Sequence, residues 1–496
     1  MTNAWPVLSL VTFLPLVGCL FIMLTQGDEA SVAKSSQYIA LWTSIPTFII
    51  SLFIWINFNP NSTGFQMIER VPWMPALGIS YQMGVDGISV FFILLTTLLT
   101  PICIFATWKT LKHHVREYMI VMLVLETALI GSFCSLDMLV FVCFFEASLI
   151  PIFLMIGIWE KGNKSYAVIK FGINICLSSI SLLGAVLLIY SMEGTTDFLA
   201  LKDIQLSSSI QAWLWVALAI PFVTKMLMFP FHNWMLDKHV IGPIATTVML
   251  CCSVANLGGY GFLRFSLSLL PEATVFFAPF MMVLGVAFAI YGTAILVSFK
   301  SFKSLVLCLV FTQTGLILLG MFSLNEQGTQ GAVMKMLNHS VVTAGLVICM
   351  NIVFERFRLE QGFQLGKLLN SAPRYLVINI LLLLAVIGVP GTGGFIGNFL
   401  IVLGVFEHSV IVSVFVFIIL ILVIVDVLYI YRHSIFGNVV AVSKSTIEDL
   451  SREELVVLLP IISLVFWMGI YPIPFLEVIS LSAESITKNL VLISGD

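Results

Sequence analysis

Residues 219–234, AIPFVTKMLMFPFHNW, place a lysine, Lys225, between two prolines inside an otherwise apolar run. Pro221 and Pro230 each remove a backbone donor and clash with the preceding helical turn, so the run predicts a broken helix. A second apolar run breaks at residues 389–394, VPGTGG. Broken backbone at membrane depth persists only where it lines a cavity or is covered by protein. We therefore predict two discontinuous membrane helices beside an interior path.

The composition of the whole chain agrees with a membrane protein. Of its 496 residues, 59% are hydrophobic and 10% are charged, against about 45–50% and about 25% in a typical soluble domain. A net charge of −3 provides no basic surface for nucleic acid. The nine cysteines have neither metal-ligand nor disulfide-framework spacing. The composition thus excludes nucleic-acid binders, secreted disulfide scaffolds and disordered regulators.

We predict an all-α polytopic fold of about fourteen transmembrane helices, because a bilayer core needs about 20 apolar residues per helix. Most linkers are short, and the longer ones carry the Gly, Asn, Ser and charged residues typical of loops. Those longer linkers are 59–87, 193–210, 355–374 and 432–454. The predicted spans are 5–24, 38–58, 88–108, 118–135, 138–159, 166–192, 211–234, 243–270, 274–298, 304–324, 330–354, 375–405, 409–431 and 455–475.

The basic residues between the spans predict the orientation. Odd-numbered loops hold sixteen Lys and Arg, whereas the even-numbered loops and the two tails hold four: Arg70, Lys202, Arg264 and Lys488. The positive-inside rule places the odd loops in the cytoplasm or matrix, so both termini face the periplasmic or intermembrane side. The first span has no preceding basic residue and no cleavage site after it, which indicates a retained helix rather than a signal peptide.

The spacing of the two breaks predicts internal repeats. The second break lies about 165 residues and five spans after the first. Interrupted helices at matching places in two halves indicate inverted repeats, since an odd number of spans per repeat reverses the second copy. We predict four segments, which are helices 1–3 (1–117), the first five-helix repeat (118–270), the second five-helix repeat (274–436) and a last helix with its tail (437–496).

Few ionisable residues lie inside the predicted spans. A charge at the bilayer centre costs at least about 2.5–3.5 kcal/mol, and such residues normally face the bundle interior and mark ion paths. These residues are Lys170, Lys225, Lys335, Glu126, Glu146, Asp426, His232 and His339. Lys170 lies one turn inside its span, so its amine can reach back to the membrane interface, which explains its presence there.

Glu146, in FVCFFEASLIPIF, and Lys225 form the most informative candidate pair. A Glu–Lys pair whose geometry changes can take up and release protons, and the alternative is a static buried ion pair. Lys335 and His339 are four residues apart on one helix face, so they either serve helix packing or belong to an ion path. Glu126 has no obvious partner, and function and a buried hydrogen bond are both open for it.

Five separated motifs together resemble one family. They are MGVDGISVFFILLTTLLTPICI, FFEASLIPIFLMIGIWE, KMLMFPFHNW, GGYGFLRFSL and PGTGGFIGNF. In this order and spacing they are similar to the antiporter-like membrane subunit M of proton-pumping NADH:quinone oxidoreductase, respiratory complex I, of alphaproteobacterial or mitochondrial type. This is subunit four of the mitochondrial enzyme. The resemblance runs from about residue 5 to about residue 480, and large subunits of multisubunit Na⁺/H⁺ antiporters resemble the chain less closely.

The resemblance implies a non-redox subunit of the translocase, set among other membrane-arm subunits of complex I in a bacterial or mitochondrial inner membrane. It implies a contribution to proton translocation coupled to electron transport. It also implies no cofactor or metal in this chain, because NADH, FMN, iron–sulfur clusters and quinone belong to other subunits. Glu146, Lys225, His232 and His339 match the family's proton-path residues, and His239 matches a further histidine after the broken span.

Several positions depart from the family pattern. The family usually has a lysine where this chain has Asn256, a histidine at Gln313 and a glutamate at Asn398. Neutral amides can hydrogen-bond a water chain but do not exchange protons at physiological pH. The run HNWMLDKHVIGPI also differs from the family at Leu236, Lys238, Gly242 and Ile244.

Three interpretations follow from these departures. In the first, the chain still pumps, and Lys335, Asp426 and His339 replace the lost relay, Lys335 and Asp426 being ionisable where relatives are usually uncharged. In the second, the chain is a structural subunit that no longer pumps. In the third, it is a diverged paralogue, which functions in a multisubunit cation/proton antiporter or a similar complex.

Overall fold

The computed structural model describes residues 5–159, 164–202, 204, 206–236, 243–299, 302–357, 372–436 and 449–494. Helices dominate these residues, and one two-stranded hairpin interrupts them. The elements are α1 (Val7–Met23), α2 (Glu29–Ile56), β1 (Gln66–Met74), β2 (Ile79–Val85), α3 (Ser89–Ala106), α4 (Val115–Cys134), α5 (Met138–Ala147), α6 (Leu149–Trp159), α7 (Lys164–Glu193), α8 (Phe198–Leu201), α9 (Ser208–Lys225), α10 (Asn233–Leu236), α11 (Ile244–Val248), α12 (Ala255–Gly261), α13 (Pro271–Phe299), α14 (Phe302–Met321), α15 (Glu326–Phe357), α16 (Pro373–Ile387), α17 (Gly393–His408), α18 (Val410–Phe436), α19 (Arg452–Ile470) and α20 (Ile473–Ser494).

This architecture confirms the predicted helical membrane fold. Ten helices among the described residues are long and apolar enough to cross a membrane, and four shorter apolar helices accompany them. Every predicted span falls on an observed helix or helix pair. Both predicted breaks are present, because α9 ends at Lys225 and α16 gives way to α17 across residues 388–392.

Two compact units make up the chain. The first contains the described residues between Met1 and Phe277 and between Glu477 and Asp496, and the second contains those between Ala278 and Leu476. The core of the first unit is rich in buried aromatic rings, among them Phe145, Phe222 and Phe262. The Phe222 ring lies 6.1 Å from that of Phe145 and 5.4 Å from that of Phe262, between centroids. These rings surround the end of α9, where the first break begins.

The structure corrects the prediction that the linker 59–87 is a loop, because this linker contains the β1–β2 hairpin. The strands are antiparallel, with Arg70 opposite Gln82, and Gly78 takes the left-handed conformation (φ 68°) after the short turn. Pro72 and the irregular register interrupt the alternation that would have revealed strands in the sequence. The hairpin is anchored by Glu69, whose carboxylate accepts hydrogen bonds from the first backbone N–H groups of α1.

The structure also adds a helix after the last predicted span, because most of the predicted C-terminal tail forms α20. This helix packs against the turn that joins β2 to α3. Gly87 donates its N–H to Ser482 Oγ at 2.9 Å. A Cβ atom on Gly87 would lie 1.7 Å from the Val478 carbonyl oxygen, so only glycine permits this approach.

Polar caps determine where several helices begin. The Asp137 carboxylate accepts hydrogen bonds from backbone N–H groups in the first turn of α5. Ser451 and Glu454 form a capping box at the start of α19. Each cap satisfies donors that a helix leaves unpaired at its N-terminus.

Asp449 caps α16 from outside that helix. Its carboxylate accepts hydrogen bonds from Arg374 N at 3.0 Å and Tyr375 N at 3.2 Å. Slight burial raises the pKa of Asp449, but backbone hydrogen bonds from Arg374, Leu450 and Tyr375 lower it more, and the net pKa lies below its usual value. The ionised carboxylate therefore stabilises the folded start of α16.

The helix Ile244–Leu267, which we call the interrupted helix, is continuous but irregular. It consists of α11, a π-helical segment at Met249–Val254, α12 and a second π-helical segment at Phe262–Leu267. Every residue of this helix is buried. π-Helical turns are rare and frequently occur at functional sites.

Candidate functional site

The first break follows Lys225, and its backbone groups find other partners. Leu227 takes a left-handed conformation (φ 58°), and Met228 donates its N–H to Val223 O at 3.1 Å. Asn174, on α7, donates its side-chain amide to Phe231 O at 3.2 Å. Met226, Leu227 and Met228 are buried, whereas Phe229 and Pro230 at the far end of the break are exposed.

Lys225 is buried against the junction of α5 and α6, with 2% of its surface exposed. Its Nζ donates to the Phe145 carbonyl oxygen at 2.9 Å and to Ser148 Oγ at 2.6 Å. The ammonium also lies 4.2 Å from the centroid of the Phe145 ring. Neutral oxygen atoms and an aromatic face thus hold the amine.

Glu146 directly follows Phe145 in the chain and is half-buried near the end of α5. One of its carboxylate oxygens accepts a short hydrogen bond from Ser179 Oγ on α7. The other carboxylate oxygen, Oε1, is buried and has no hydrogen-bond partner among the described residues. The carboxylate therefore has one free acceptor beside the break.

The predicted Glu146–Lys225 pair is close but not in contact. Their charges interact electrostatically. In the part of the chain that the structure describes, however, no ion pair within 4.0 Å joins them. Each of the two groups has its own neutral partner, so the structure does not contain the static buried ion pair that was the alternative interpretation.

A tight backbone contact fixes the end of α9. A Cβ atom on Gly258, in α12, would lie 2.4 Å from the Phe222 carbonyl oxygen, and one on Gly261 would lie 2.3 Å from the Phe222 ring. Helices approach this closely only where residues are small. The interrupted helix therefore holds Lys225 in place through the last turn of α9.

The histidines of the first half are placed in part. His232 follows the break and is 3% exposed, with its ring 6.0 Å from that of Phe229 between centroids. His239, together with Lys238 and Gly242, lies outside the described residues.

Glu126, on α4, is fully buried, and neither carboxylate oxygen has a hydrogen-bond partner among the described residues. Lys170 is half-buried on α7.

At the second break, an amine again meets neutral groups. Lys335, on α15, is 1% exposed and donates its Nζ to Asn398 Oδ1 at 2.5 Å. Gly388 takes a left-handed conformation (φ 80°), and a Cβ atom there would lie 2.5 Å from Asn398 Nδ2. Lys335 thus contacts position 398, where the family resemblance leads one to expect a glutamate.

Asn338 is a residue of this site that the sequence reasoning missed. Its side chain is 2% exposed and lies against the break, because its Oδ1 would be 3.0 Å from a Cβ on Gly393. That Oδ1 is buried without a hydrogen-bond partner among the described residues. Its position three residues after Lys335 was the available signal, since both then lie on one helix face.

His339 and Asp426 lie in the same unit but have other partners. His339 Nδ1 is 3.1 Å from Thr343 Oγ1, and its Nε2 has no hydrogen-bond partner in the described part of the chain. Asp426 accepts a hydrogen bond from Cys308 Sγ at 3.9 Å. Among the described residues, no direct hydrogen bond or ion pair links Lys335, His339 and Asp426, so a relay through them needs intervening groups.

Arg264 corrects the topological assignment. The predicted orientation counts it as a loop residue although it lies inside the predicted span 243–270, and the structure places it, 4% exposed, within the interrupted helix. Its guanidinium pairs with Asp86 at 2.8 Å and donates from Nε to Tyr260 Oη at 3.1 Å. The guanidinium carbon also lies 4.6 Å from the centroid of the Phe65 ring. Arg264 joins the hairpin end to the interrupted helix and does not report membrane sidedness.

Each break has a buried lysine as an ionisable group, Lys225 at the first and Lys335 at the second. Among the described residues, no group of three or more His, Cys, Asp and Glu could hold a metal ion. Lys225 and Lys335 are each buried against neutral oxygen acceptors. A neutral amine keeps N–H donors for such acceptors, so either lysine can lose a proton without breaking an ion pair.

Two family models match the chain in succession. Residues 36–132 match the amino terminus of NADH-ubiquinone oxidoreductase chain 4. Residues 135–424 match the transmembrane family of NADH:quinone oxidoreductase and Mrp antiporters. The second match covers more than half of the chain and includes both breaks.

Individual relatives match along almost the whole length. The NADH-ubiquinone oxidoreductase chain 4 of Marchantia polymorpha is 36% identical over 483 residues, 97% of each chain. The NADH-quinone oxidoreductase subunit M of Rhodobacter capsulatus is 34% identical over 496 residues, covering 97% of this chain and 96% of the relative. A chain of respiratory complex I from Thermus thermophilus with bound NADH has the same fold, with a TM-score of 0.87, 24% identity and coverage of 97% and 99%. The chain therefore belongs to the subunit M (chain 4) family of NADH:quinone oxidoreductase membrane subunits.

Proposed function

We propose that the chain is a proton-translocating membrane-arm subunit of an NADH:quinone oxidoreductase, and that its second ionisable site has moved from position 398 to Lys335. The observation that carries the proposal is the contact between Lys335 Nζ and Asn398 Oδ1. Both broken helices then have a buried amine, Lys225 at the first and Lys335 at the second. Intramembrane ionisable groups of this kind mark proton relays.

The proposed step at the first break is a change of partner by Lys225. When its amine rests on Phe145 O and Ser148 Oγ, Glu146 has a free carboxylate oxygen. If Lys225 moves to Glu146, the ion pair favours the charged ammonium and the amine takes up a proton. Returning to the neutral acceptors favours release. His232 in the first unit, and His339 and Asp426 in the second, are further candidates for the path.

The wider assignments rest on the family and are part of the same proposal. The chain is a multi-pass inner-membrane protein whose partners are the other membrane-arm subunits and the lipid bilayer. It takes no part in electron transfer, because NADH, FMN, iron–sulfur clusters and quinone bind to other subunits. The division into two inverted five-helix repeats, 118–270 and 274–436, with flanking segments 1–117 and 437–496, belongs to it as well.

The orientation is proposed from the basic loops, with both termini on the periplasmic or intermembrane side. In sealed vesicles with that side outward, an impermeant maleimide should label Lys488→Cys and leave Lys112→Cys unlabelled. Both side chains are exposed, Lys112 between α3 and α4 and Lys488 on α20. The reverse labelling pattern would overturn the orientation and leave the fold unaffected.

The central test uses the assembled enzyme in native membranes. Glu146→Gln and Lys335→Gln should each lower the number of protons translocated per electron pair, while NADH:quinone electron transfer persists. An unchanged ratio in both variants would overturn translocation through this chain and favour a structural subunit. That second candidate is supported by the neutral residues Asn256 and Asn398. Absence of NADH-oxidising subunits from complexes purified with the tagged chain would instead favour a separate antiporter complex.

A further inference from the structure

The fully buried Glu126 is not used by the proposed path. It lies near the middle of α4, is 0% exposed, and neither carboxylate oxygen has a hydrogen-bond partner in the described part of the chain. An ionised carboxylate in this state costs several kcal/mol. A carboxyl group that stays buried without a protein partner therefore either binds a proton or is satisfied by water.

The neighbours of α4 show which way Glu126 points. Tyr118 Oη lies 3.1 Å from Thr246 Oγ1, and Tyr260 Oη donates to Phe133 O at 3.0 Å. Both contacts join α4 to the interrupted helix. The Phe133 ring also lies 5.2 Å from that of Tyr260 between centroids. At about 100° per residue, Glu126 lies within roughly 20° of Phe133 around the helix axis, so it lies on the same side of α4.

The register of these contacts identifies the opposite residue. The two helices run parallel, since Tyr118 meets the N-terminal part of the interrupted helix and Phe133 its C-terminal part. Glu126 is eight residues after Tyr118, and Ser253 is seven after Thr246. The two residues therefore lie at about the same height along these two parallel helices.

Ser253 has the properties that a partner of Glu126 needs. It is 1% exposed, and its Oγ is buried without a hydrogen-bond partner among the described residues. It lies in the π-helical segment Met249–Val254, three residues before Asn256. Another titratable group in range is Cys19 on α1, but its thiol donates to the Ile120 carbonyl oxygen at 3.6 Å.

We propose that Glu126 and Ser253 form a further proton-binding site between α4 and the interrupted helix, next to the position where this chain has Asn256 and its family has a lysine. A proton binds to a carboxylate oxygen of Glu126 and leaves to a water molecule held by Ser253 Oγ, which restores the carboxylate. The inference rests on the proposed proton translocation.

The test compares variants in the assembled enzyme, with Glu146→Gln as reference. Glu126→Gln should lower the protons translocated per electron pair by the same fraction as the reference, and Ser253→Ala should lower it partly. Thr127→Val is the matched control, because it removes a buried, unpartnered hydroxyl about 100° further around α4. The control should match the wild type. In the double variant Glu126→Gln, Asn256→Lys, the ratio should recover.

The outcomes separate this site from the proposed function. If the reference variant lowers the ratio and Glu126→Gln does not, the Glu126 site is overturned and translocation stands. If neither variant lowers it, both are overturned. Native electrophoresis checks assembly, and if Glu126→Gln fails to assemble, Glu126→Asp and Ser253→Ala decide. An infrared difference spectrum must also lose a protonated-carboxyl band in Glu126→Gln, which a purely structural role would not predict.

Discussion

Restoring the family glutamate at position 398 should block proton translocation in this chain rather than improve it. In the structure, Lys335 Nζ lies 2.5 Å from Asn398 Oδ1. Asn398→Glu would replace that amide oxygen with a carboxylate oxygen in a site from which water is largely excluded, since Lys335 is 1% exposed. The neutral contact would become a buried ion pair.

The size of the effect follows from this distance. Two unit charges 2.5 Å apart attract by roughly 7 kcal/mol at an effective dielectric constant of about 20. Desolvation of the carboxylate opposes this attraction. We take the net stabilisation of the charged lysine as about 3–5 kcal/mol, the free energy that is lost when a buried ion pair is broken. At about 1.4 kcal/mol per tenfold change, proton release from Lys335 becomes harder by roughly a hundred- to several-thousand-fold.

The assay is the number of protons translocated per electron pair by the assembled enzyme in sealed vesicles. Asn398→Glu and Lys335→Gln should each lower the ratio, the first by trapping the proton and the second by removing the ionisable group. The double variant should approach the wild type, because a lone glutamate restores one ionisable site. Asn57→Glu, at the exposed end of α2, is the control for an added carboxylate. A ratio that rises with Asn398→Glu alone, or a double variant no better than either single one, would refute the reasoning.

Three further predictions concern stability and packing. Asp86→Asn should destabilise the first unit by about 3–5 kcal/mol, because it leaves the Arg264 guanidinium buried without its carboxylate; a lower thermal denaturation temperature of the solubilised enzyme, partly recovered with Arg264→Met, is expected. Gly258→Val should prevent assembly, since its Cβ would lie 2.4 Å from a backbone carbonyl oxygen, whereas Gly64→Ala, with open space around it, should assemble normally. The folded pKa of Asp449 lies below its unfolded value of about 3.9, so the carboxylate stabilises α16 above about pH 3.9, and this stabilisation is lost as the pH falls through the folded pKa. Amide hydrogen exchange at the start of α16 should accelerate over that pH range. The variant Asp449→Asn should remove this pH dependence.

Each of these predictions has a contrary outcome. An Asp86→Asn enzyme as stable as the wild type would mean that the surrounding rings and Tyr260 are sufficient for the guanidinium. Normal assembly of Gly258→Val would show that α12 can move away from α9. If α16 exchange keeps its pH dependence in Asp449→Asn, a group other than this carboxylate controls the helix start.

The sequence predicted the two breaks because proline and glycine act locally. The glycines after Val389 lie where α16 gives way to α17, whereas Pro221 lies inside α9, which continues to Lys225 before the first break. The hairpin at 66–85 was missed because Pro72 and the shifts in its register interrupt the alternation that reveals strands in a sequence. The hairpin is anchored where the Glu69 carboxylate accepts hydrogen bonds from Leu8 and Ser9 of α1, about 60 residues away in sequence. A contact between residues so far apart is not visible in a local sequence pattern.

The sequence by itself determined that the chain is a helical membrane protein with few interior charges, because apolar length and the cost of buried charge are properties of individual segments. Only the tertiary structure decided what those charges contact. It showed Lys225 on neutral acceptors beside Glu146, Lys335 on Asn398, and Arg264 on Asp86 rather than in a loop. The physical reason is that a buried charge is stabilised by its partners, and those partners come from other helices.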